Sequence, residues 1–236
     1  MDKIDILRNW ISESENIVFF GGAGVSTESG IADFRSIDGL YNQHYDYPPE
    51  EILSHSFFIR DPETFYRFYR EKLCVKDAEP NITHLRLAEL ERDGKLSAVV
   101  TQNIDSLHQK AGSRKIYELH GTLARNYCSK CGKISDVDIE NTEGVPKCDC
   151  GGVIRPDIVL YEEGLDEDVI AGAVSAIRRA DMLIVGGTSL AVYPAAGLIN
   201  YYRGDKLVLI NKSPTSYDGA ANLLITESLG SVFSRV

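Results

Sequence analysis

Two polar segments, about seventy residues apart in a chain of 236, constrain this sequence more than any other feature. The first is Gly21-Gly22-Ala23-Gly24-Val25-Ser26-Thr27-Glu28-Ser29-Gly30-Ile31-Ala32-Asp33-Phe34-Arg35. The second is Thr101-Gln102-Asn103-Ile104-Asp105-Ser106-Leu107-His108, closed off by Glu118-Leu119-His120-Gly121-Thr122. Each follows a short apolar run, Asn16-Ile17-Val18-Phe19-Phe20 or residues 96–100, that reads as a buried strand. A glycine-rich turn after a strand lets backbone N–H groups approach a pyrophosphate, with the N-terminus of the next helix facing the charge. A strand exit carrying Gln-Asn-x-Asp and then a histidine offers polar groups for a ribose, an amide and a proton transfer. The pair points to an enzyme that binds a dinucleotide and acts on its ribose.

The glycine segment departs from the ordinary dinucleotide fingerprint. Thr27 stands where that fingerprint has its third glycine, and no acidic residue marks the end of the second strand. Ser26, Ser29 and Asp33-Phe34-Arg35 follow the turn instead, so this is not a standard dehydrogenase site. A purely structural turn would account for Gly22 and Gly24. Asn103 or Asp105 can cap the following helix, but three polar groups at one strand exit exceed what a cap needs. His120 follows another apolar–polar strand, where its imidazole faces the same cleft and suits a general base. His44, His55, His84 and His108 lack such a setting and read as structural or surface residues.

Around these segments the pattern alternates. An amphipathic helix built on Ile4, Leu7, Trp10 and Ile11 opens the chain, with no signal peptide. Residues 31–60 are aperiodic and read as a loop. Asp61-Pro62 opens a helix striped by Phe65, Phe68, Tyr69 and Leu73, and a second helix over 81–93 stops at Asp93-Gly94. Residues 157–161, 182–185 and 207–210 are further strand candidates, with a helix over 167–179 between the first two. Strands alternating with helices predict an α/β fold, a Rossmann-like parallel sheet with helices on both faces. After two of these strands, Val185-Gly186-Gly187-Thr188-Ser189-Leu190 and Ile210-Asn211-Lys212-Ser213 sit where a dinucleotide's second half lies across such a sheet.

Charge and cysteine usage narrow the function further. The formal net charge of −10 argues against non-specific nucleic-acid binding, which needs a basic footprint, and tolerates a basic peptide as substrate. No apolar run approaches the roughly 18–20 residues of a membrane span, so a cytoplasmic protein is expected. Cys128-x2-Cys131 and Cys148-x-Cys150, with Gly132 and Gly151-Gly152 just after each pair, read as a zinc ribbon. Four thiolates close the coordination sphere and make such a site structural, although the second pair is one residue short of the usual spacing. Residues 137–146 form a polar excursion between the pairs, and Cys74 reads as a buried apolar residue.

Together these segments resemble the sirtuin family of NAD-dependent protein deacylases, as a bacterial-type single catalytic core. The matching blocks are Gly22-Ala23-Gly24-x-Ser26, Gly30-Ile31-x-Asp33-Phe34-Arg35, Thr101-Gln102-Asn103-Ile104-Asp105, His120-Gly121, the cysteine quartet, Gly187-Thr188-Ser189-Leu190-x-Val192-x-Pro194-Ala195-Ala196 and Ile210-Asn211. They run in family order over almost the whole chain. The resemblance implies a Rossmann-type NAD-binding domain from residues 1–35, 74–123 and 155–236, a helical module with the cofactor loop over 36–73, and the ribbon over 124–154. It implies NAD as a consumed co-substrate, one structural Zn2+ on Cys128, Cys131, Cys148 and Cys150, and an acetyl-lysine peptide as partner, with no nucleic acid, no membrane and a monomeric state.

Residue by residue, the resemblance puts Gly22, Ala23, Gly24, Ser26, Thr27, Asp33, Phe34 and Arg35 in the cofactor loop. Gln102, Asn103, Ile104 and Asp105 would surround the nicotinamide ribose and carboxamide, and Gly187, Thr188, Ser189, Asn211 and Lys212 the remaining ribose and phosphate groups. In the implied reaction the acyl oxygen attacks C1′ of the nicotinamide ribose, releasing nicotinamide and leaving an alkylimidate. His120, assisted by Asn103, accepts a proton from the ribose hydroxyls so that the 2′-oxygen can attack the imidate. Water then yields lysine and O-acyl-ADP-ribose, while Phe34 shields the cationic sugar from premature water.

The peptide would lie as an added strand between 159–163 and 187–192, touching Val159, Leu160, Tyr161, Glu163 and Val192. Two departures stand out. Glu162 occupies a position where the family commonly has glycine, which is expected to favour basic flanking residues or hinder the usual peptide register; Ala32 replaces a usual proline. Sirtuins that remove succinyl or malonyl groups share a Tyr-x-x-Arg pair, which aligns with Tyr66 and Tyr69 here, so neutral acyl groups are expected unless Arg67 or Arg70 supplies the cation. A mono-ADP-ribosyltransferase or NAD glycohydrolase shares every NAD residue and differs in the acceptor. A non-catalytic NAD-sensing or zinc-ribbon interaction module is the other alternative.

Overall fold

Strands buried on both faces need continuous apolar runs, and this chain supplies them in short pieces. In the computed structural model, which describes residues 2–34, 39, 47–74 and 77–236, α1 (Lys3–Glu13) leads into β1 (Ile17–Gly21). A helical stretch follows: α2 (Pro49–Ile52), α3 (His55–Arg60), α4 (Pro62–Phe68), which continues into a π-turn at Tyr69–Leu73, and α5 (Ile82–Arg92). Next come β2 (Leu96–Thr101), α6 (Leu107–Ala111), β3 (Ile116–Glu118), β4 (Gly121–Cys128), β5 (Ile134–Ser135) and β6 (Ile154–Ile158). The chain ends through α7 (Glu167–Arg179), β7 (Met182–Gly186), β8 (Leu207–Ile210), β9 (Leu223–Ile225) and α8 (Leu229–Phe233).

Six of these strands form one parallel sheet in the order β3-β2-β1-β7-β8-β9. Successive side chains of a strand point to opposite faces, and the burial follows. Phe19, Val99, Ile184 and Val208 face α1, α5 and α8, through Ile4, Leu7, Leu87, Val232 and Phe233. Phe20, Val100, Val185 and Leu209 face Ala173, Ala176 and Ile177 of α7 and the 3-10 turn at Ala195–Tyr201. Numbered within the sheet, the order is 3-2-1-4-5-6, whose direction reverses between β1 and β7. Open sheets of this kind bind ligands outside that crevice.

A second sheet, antiparallel in the order β5-β4-β6, carries the cysteines. Helices α2 to α4 cover it with Phe57, Phe58, Phe65, Tyr66 and Tyr69, against Ile139, Ile154 and Ile158. The rings of Phe58, Phe65 and Tyr66 meet edge to face, and the Tyr66 hydroxyl donates to the Ile154 carbonyl. The expected start at Asp61-Pro62 is found: the Asp61 carboxylate accepts from Thr64 N–H at 3.0 Å, with Pro62 in the first turn.

Several expectations are corrected. Residues 157–161 were expected in the parallel sheet; the strand is instead Ile154–Ile158, antiparallel to β4 in the small sheet. Its polar Arg155 and Asp157 obscured its start. The stretch 31–60 is not wholly loop, since α2 and α3 lie in its second half. The 137–146 excursion is only partly polar: Ile139 is buried, and Val137 and Val145 pack beside it on the module core. Cys74 is half-buried at the edge of that core. His84 and His108 are structural, with rings 4.7 Å apart beneath the sheet, while His55 is exposed and His44 lies outside the described residues.

Candidate active site

The sheet register sets the site. Gly21 pairs with Thr101 on one side and Gly186 on the other, and Gly186 pairs with Ile210. The polar segments that follow these residues therefore emerge side by side at the carboxyl ends of β1, β2, β7 and β8. Among the described residues, the long α-helix that the pyrophosphate-turn reading expected after β1 is not found; two 3-10 turns, Ala23–Val25 and Thr27–Ser29, take its place. They fold back against the β7 exit, where Gly24 N–H donates to Gly187 O at 2.8 Å. A Cβ on Gly24 would stand 2.8 Å from both Cα and O of Gly187, so glycine is required by this close approach.

Side chains then join the exits. Ser26 Oγ donates to Asp105 Oδ2 at 2.6 Å and accepts from Asn103 Nδ2 at 3.0 Å. Asp105 Oδ1 accepts from Leu107 N–H, the first of α6, at 3.0 Å, although the N-cap position itself is Ser106, and its other oxygen holds Ser26. Gln102 Nε2 donates to Thr188 Oγ1 at 3.0 Å, linking the β2 and β7 exits. Asn103 is buried, its own N–H donating to Thr101 Oγ1.

His120 stands between β3 and β4, with Nδ1 at 3.0 Å from the Gln102 carbonyl oxygen. A carbonyl only accepts, so Nδ1 carries the proton and Nε2 keeps its lone pair. Burial lowers the pKa of His120 from 6.5, and the bond to Gln102 opposes that shift without cancelling it. The imidazole is thus a neutral base at pH 7.

These groups line a cavity of about 460 Å³. Its second wall comes from 158–163 and its third from 187–194. Val159 N–H donates to His120 O at 2.9 Å, tying the second wall to the histidine. Glu163 receives both ends of the buried Arg155 guanidinium, at 2.6 and 3.0 Å, plus Leu160 N–H at 2.8 Å and His55 Nδ1 at 2.8 Å. Glu162 turns toward the helical module, its carboxylate accepting from Ser56 N–H and Oγ, both at 2.9 Å. The opposite wall turns at Leu190, whose N–H donates to Thr188 Oγ1 at 3.2 Å.

Away from the cleft, the Sγ atoms of Cys128, Cys131, Cys148 and Cys150 all lie within 4.8 Å of one another. Cys128 and Cys150 are 3.5 Å apart, and Cys131 and Cys148 3.9 Å. Four thiolates at about 2.3 Å from one zinc ion sit roughly 3.8 Å apart in a tetrahedron, so the donor set fits Zn2+. The shortened Cys148-x-Cys150 pair reaches the cluster because Gly151 takes a left-handed turn at φ 80° and Gly152 leaves room. A Cβ on Gly152 would be 2.6 Å from Cys128 Sγ. Backbone N–H groups of Cys131 and Lys130 pull the Cys128 thiol down to about 6, toward the thiolate a metal needs.

Residues 22–194 match the model of the Sir2 family. The chain belongs to the Sir2 family. Its relatives include NAD-dependent protein deacetylases of Clostridium acetobutylicum and Clostridium perfringens, each 58% identical, covering all of this chain and 98% of the relative. A solved Sir2 variant with a deacetylated p53 peptide and 3′-O-acetyl ADP-ribose superimposes with a TM-score of 0.91 at 40% identity, covering 100% of this chain and 97% of that one. A Sir2 complex with p53 peptide and NAD+ gives a TM-score of 0.87 at 40% identity, with the same coverage.

Most residues named from sequence meet at the cleft: Gly22 to Gly24, Ser26, Asp33 and Phe34 on the first loop, Gln102 to Asp105 and His120, Val159 to Tyr161 and Glu163, and Gly187 to Ser189, Val192 and Asn211. Two do not line it. The Thr27 hydroxyl binds Gly24 O, and Lys212 is exposed beyond the cavity wall. Arg35 lies outside the described residues. Leu53, Lys72 and Leu73 of the helical module line the cleft unforeseen, because nothing in their local pattern distinguishes a cleft-facing leucine from a core one or a cleft-facing lysine from a surface one. Ile158, Tyr193 and Pro194 flank segments already singled out. Tyr66 and Tyr69 are buried in the module core, Arg70 donates to the Ile139 and Gly144 carbonyls, and among the described residues no arginine lines the cleft.

Proposed function

We infer that this Sir2 protein is an NAD-dependent protein-lysine deacetylase that transfers the acetyl group of acetyl-lysine to ADP-ribose and releases nicotinamide. The observation that carries this is His120, its Nδ1 bonded to the Gln102 carbonyl, in a cleft shared by a row of polar strand exits and the 158–163 and 187–194 walls. When bound, NAD supplies an activated ribose and a leaving nicotinamide. The hydroxyl, amide and carboxylate groups along the exits suit its riboses and carboxamide.

In this reading Asn103 and Asp105 orient the nicotinamide ribose and carboxamide, and Ser26 fixes both through its two hydrogen bonds. Gly22, Ala23, Gly24, Asp33 and Phe34 form the loop over the cofactor, with Phe34 excluding water. Gly187, Thr188, Ser189 and Asn211 hold the rest of the dinucleotide. His120 Nε2 takes the proton from a ribose hydroxyl, and the Gln102 carbonyl keeps the ring in the required tautomer. Val159, Leu160, Tyr161, Glu163 and Val192 flank the acetyl-lysine peptide as an inserted strand. Tyr66 and Tyr69, which align with the pair of the succinyl-removing sirtuins, are buried in the module core and do not line the cleft, which favours neutral acyl groups over succinyl. Both substrate sites lie within one chain, which supports a monomer, and a thiolate rather than disulfide cluster suits a reducing cytoplasm.

The test is mass spectrometry of an acetyl-lysine peptide and its succinyl-lysine counterpart, each with and without NAD. NAD-dependent loss of acetyl with O-acetyl-ADP-ribose formed is expected. Nicotinamide release with the peptide intact would replace deacetylation by ADP-ribosyl transfer or NAD hydrolysis.

A further inference from the structure

The wall at 159–163 ends in a turn: Glu163 N–H donates to Leu160 O at 3.1 Å, and Leu160 N–H donates to Glu163 Oε2 at 2.8 Å. It is bonded to the helical module: Tyr161 N–H donates to Leu53 O at 3.0 Å, and His55 N–H donates to Tyr161 O at 3.0 Å. Between those bonds and the cleft stands Glu162 at φ 74°, a left-handed backbone that is uncommon for a residue with a side chain. Its carboxylate takes both donors of Ser56, a residue in the first turn of α3 whose N–H has no partner within the helix. Ser56 Oγ lies 3.3 Å from Ser54 Oγ, and the Ser54 hydroxyl oxygen caps α3 by accepting from Phe57 N–H. The bond thus continues a local hydrogen-bonded chain. The next residue, Glu163, is fixed by Arg155 and Leu160 and, from α3 itself, by His55 Nδ1 at 2.8 Å.

We propose that Glu162 is a positioning residue for the peptide substrate, its carboxylate tying the turn at the end of the 159–163 wall to Ser56 so that the wall is held in one conformation before a peptide arrives. This rests on the deacetylase reading above. A glycine at this position adopts the same backbone without strain but offers no tether. Glutamate accepts the strained φ and holds it with two hydrogen bonds. The carboxylate acts here through Ser56, and the charge of residues flanking the acetyl-lysine is not what it reads. Pre-organising one wall of the peptide site raises affinity by removing the ordering cost from the binding step.

The experiment compares wild type with Glu162→Ala, Glu162→Gln, Ser56→Ala and the Glu162→Ala/Ser56→Ala double variant, all as full chains with matched thermal melts. Peptide and NAD are varied separately in steady-state assays, and a fluorescein-labelled acetyl-lysine peptide is titrated by anisotropy. Glu162→Ala is expected to raise peptide KM and anisotropy Kd about five- to tenfold, the scale of one or two lost hydrogen bonds. NAD KM and kcat at saturating peptide stay within about twofold, on the same reasoning that only peptide binding is touched. Ser56→Ala is expected to cost less, since its N–H remains, and the double variant to be no worse than Glu162→Ala. Glu162→Gln keeps an acceptor for Ser56 and stays near wild type with basic and acidic flanks alike. Unchanged peptide affinity in Glu162→Ala, additive losses in the double variant, or a loss in Glu162→Gln confined to basic-flanked peptides would each overturn the proposal. Absence of O-acetyl-ADP-ribose from wild type would instead overturn the deacetylase reading, while the anisotropy titration still reads the wall.

Discussion

Removing the Glu163 carboxylate tests how the peptide wall, the small sheet and the helical module are joined. Arg155 is 5% exposed and its guanidinium spends two N–H groups on Glu163, with others on the Ile158 and Pro156 carbonyls. It also lies over the rings of Phe58 and Tyr127 at 5.3 and 5.6 Å. Glu163→Ala leaves that charge buried with no counter-ion, and breaking a buried pair from one side costs about 3–5 kcal/mol. The Glu163 side chain is 20% exposed, so water entering the gap places the loss toward the lower figure. For a domain of this size each kcal/mol shifts Tm by roughly 2–4 °C, so a fall of about 6–12 °C is expected by scanning calorimetry at pH 7.

The same pair has a pH signature. Burial raises the Glu163 pKa, but the bonds from Arg155, Leu160 and His55 outweigh it, leaving the carboxyl below its usual value. A carboxyl depressed in the folded state stabilises above its unfolded pKa, near 4.3. That contribution is lost as pH falls through the folded value. The gap between wild type and Glu163→Ala should therefore narrow below about pH 4. Replacing both partners, with Arg155→Met and Glu163→Leu, should recover much of the loss, since no charge is stranded. A Tm change under about 2 °C in Glu163→Ala, or a double variant no better than the single, would refute the view that a stranded buried charge sets the cost.

Three further outcomes are expected. The acid limb of kcat/KM should fall below pH 6.5, because burial lowers the His120 pKa and turnover needs its neutral form; His120→Ala should abolish deacetylation while ADP-ribose binding by calorimetry persists. Cys150→Ala should reduce bound zinc from one per chain to near none by elemental analysis, and Gly152→Ala should weaken zinc retention against a chelator, since its Cβ would meet Cys128 Sγ at 2.6 Å. Burial holds the His84 and His108 pKa values below the ordinary 6.5, so the unfolded chain binds protons more readily and stability falls as pH drops below that value; His108→Leu should flatten this slope in urea titrations between pH 4 and 6.5.

The parallel sheet and most of the cleft were legible in the primary structure for a local reason. Strands β1, β2, β7 and β8 are covered on both faces, so each is an apolar run, interrupted in β2 by the exposed Ser97, and the polar residues after it mark an exit. The helix over 167–179 was equally clear, with Asp166 capping it through Val169 N–H. The cysteine spacing and the following glycines announced the metal cluster before any fold was known.

Other features depend on partners distant in sequence. Strand β6 carries Arg155, Pro156 and Asp157, an unpromising pattern that becomes a strand through pairing with β4 and through Glu163, which neutralises the buried charge. Tyr66 and Tyr69 sat on a helix stripe compatible with either core or cleft, and the ring packing of the module assigned them to the core. Glu162 read as favouring basic flanking residues or hindering the peptide register, and its contact with Ser56 is visible only in the fold. The parallel sheet, the row of polar strand exits with His120 and the paired cysteines can be read from the chain alone, because burial, turn chemistry and ligand spacing are properties of neighbouring residues. The His120 tautomer, the Ser26 bridge between the β1 and β2 exits and the direction of the 162–163 carboxylates emerge with the three-dimensional packing. Each of these is a hydrogen bond between groups many residues apart, and local sequence carries no record of which donor the fold will bring within 3 Å.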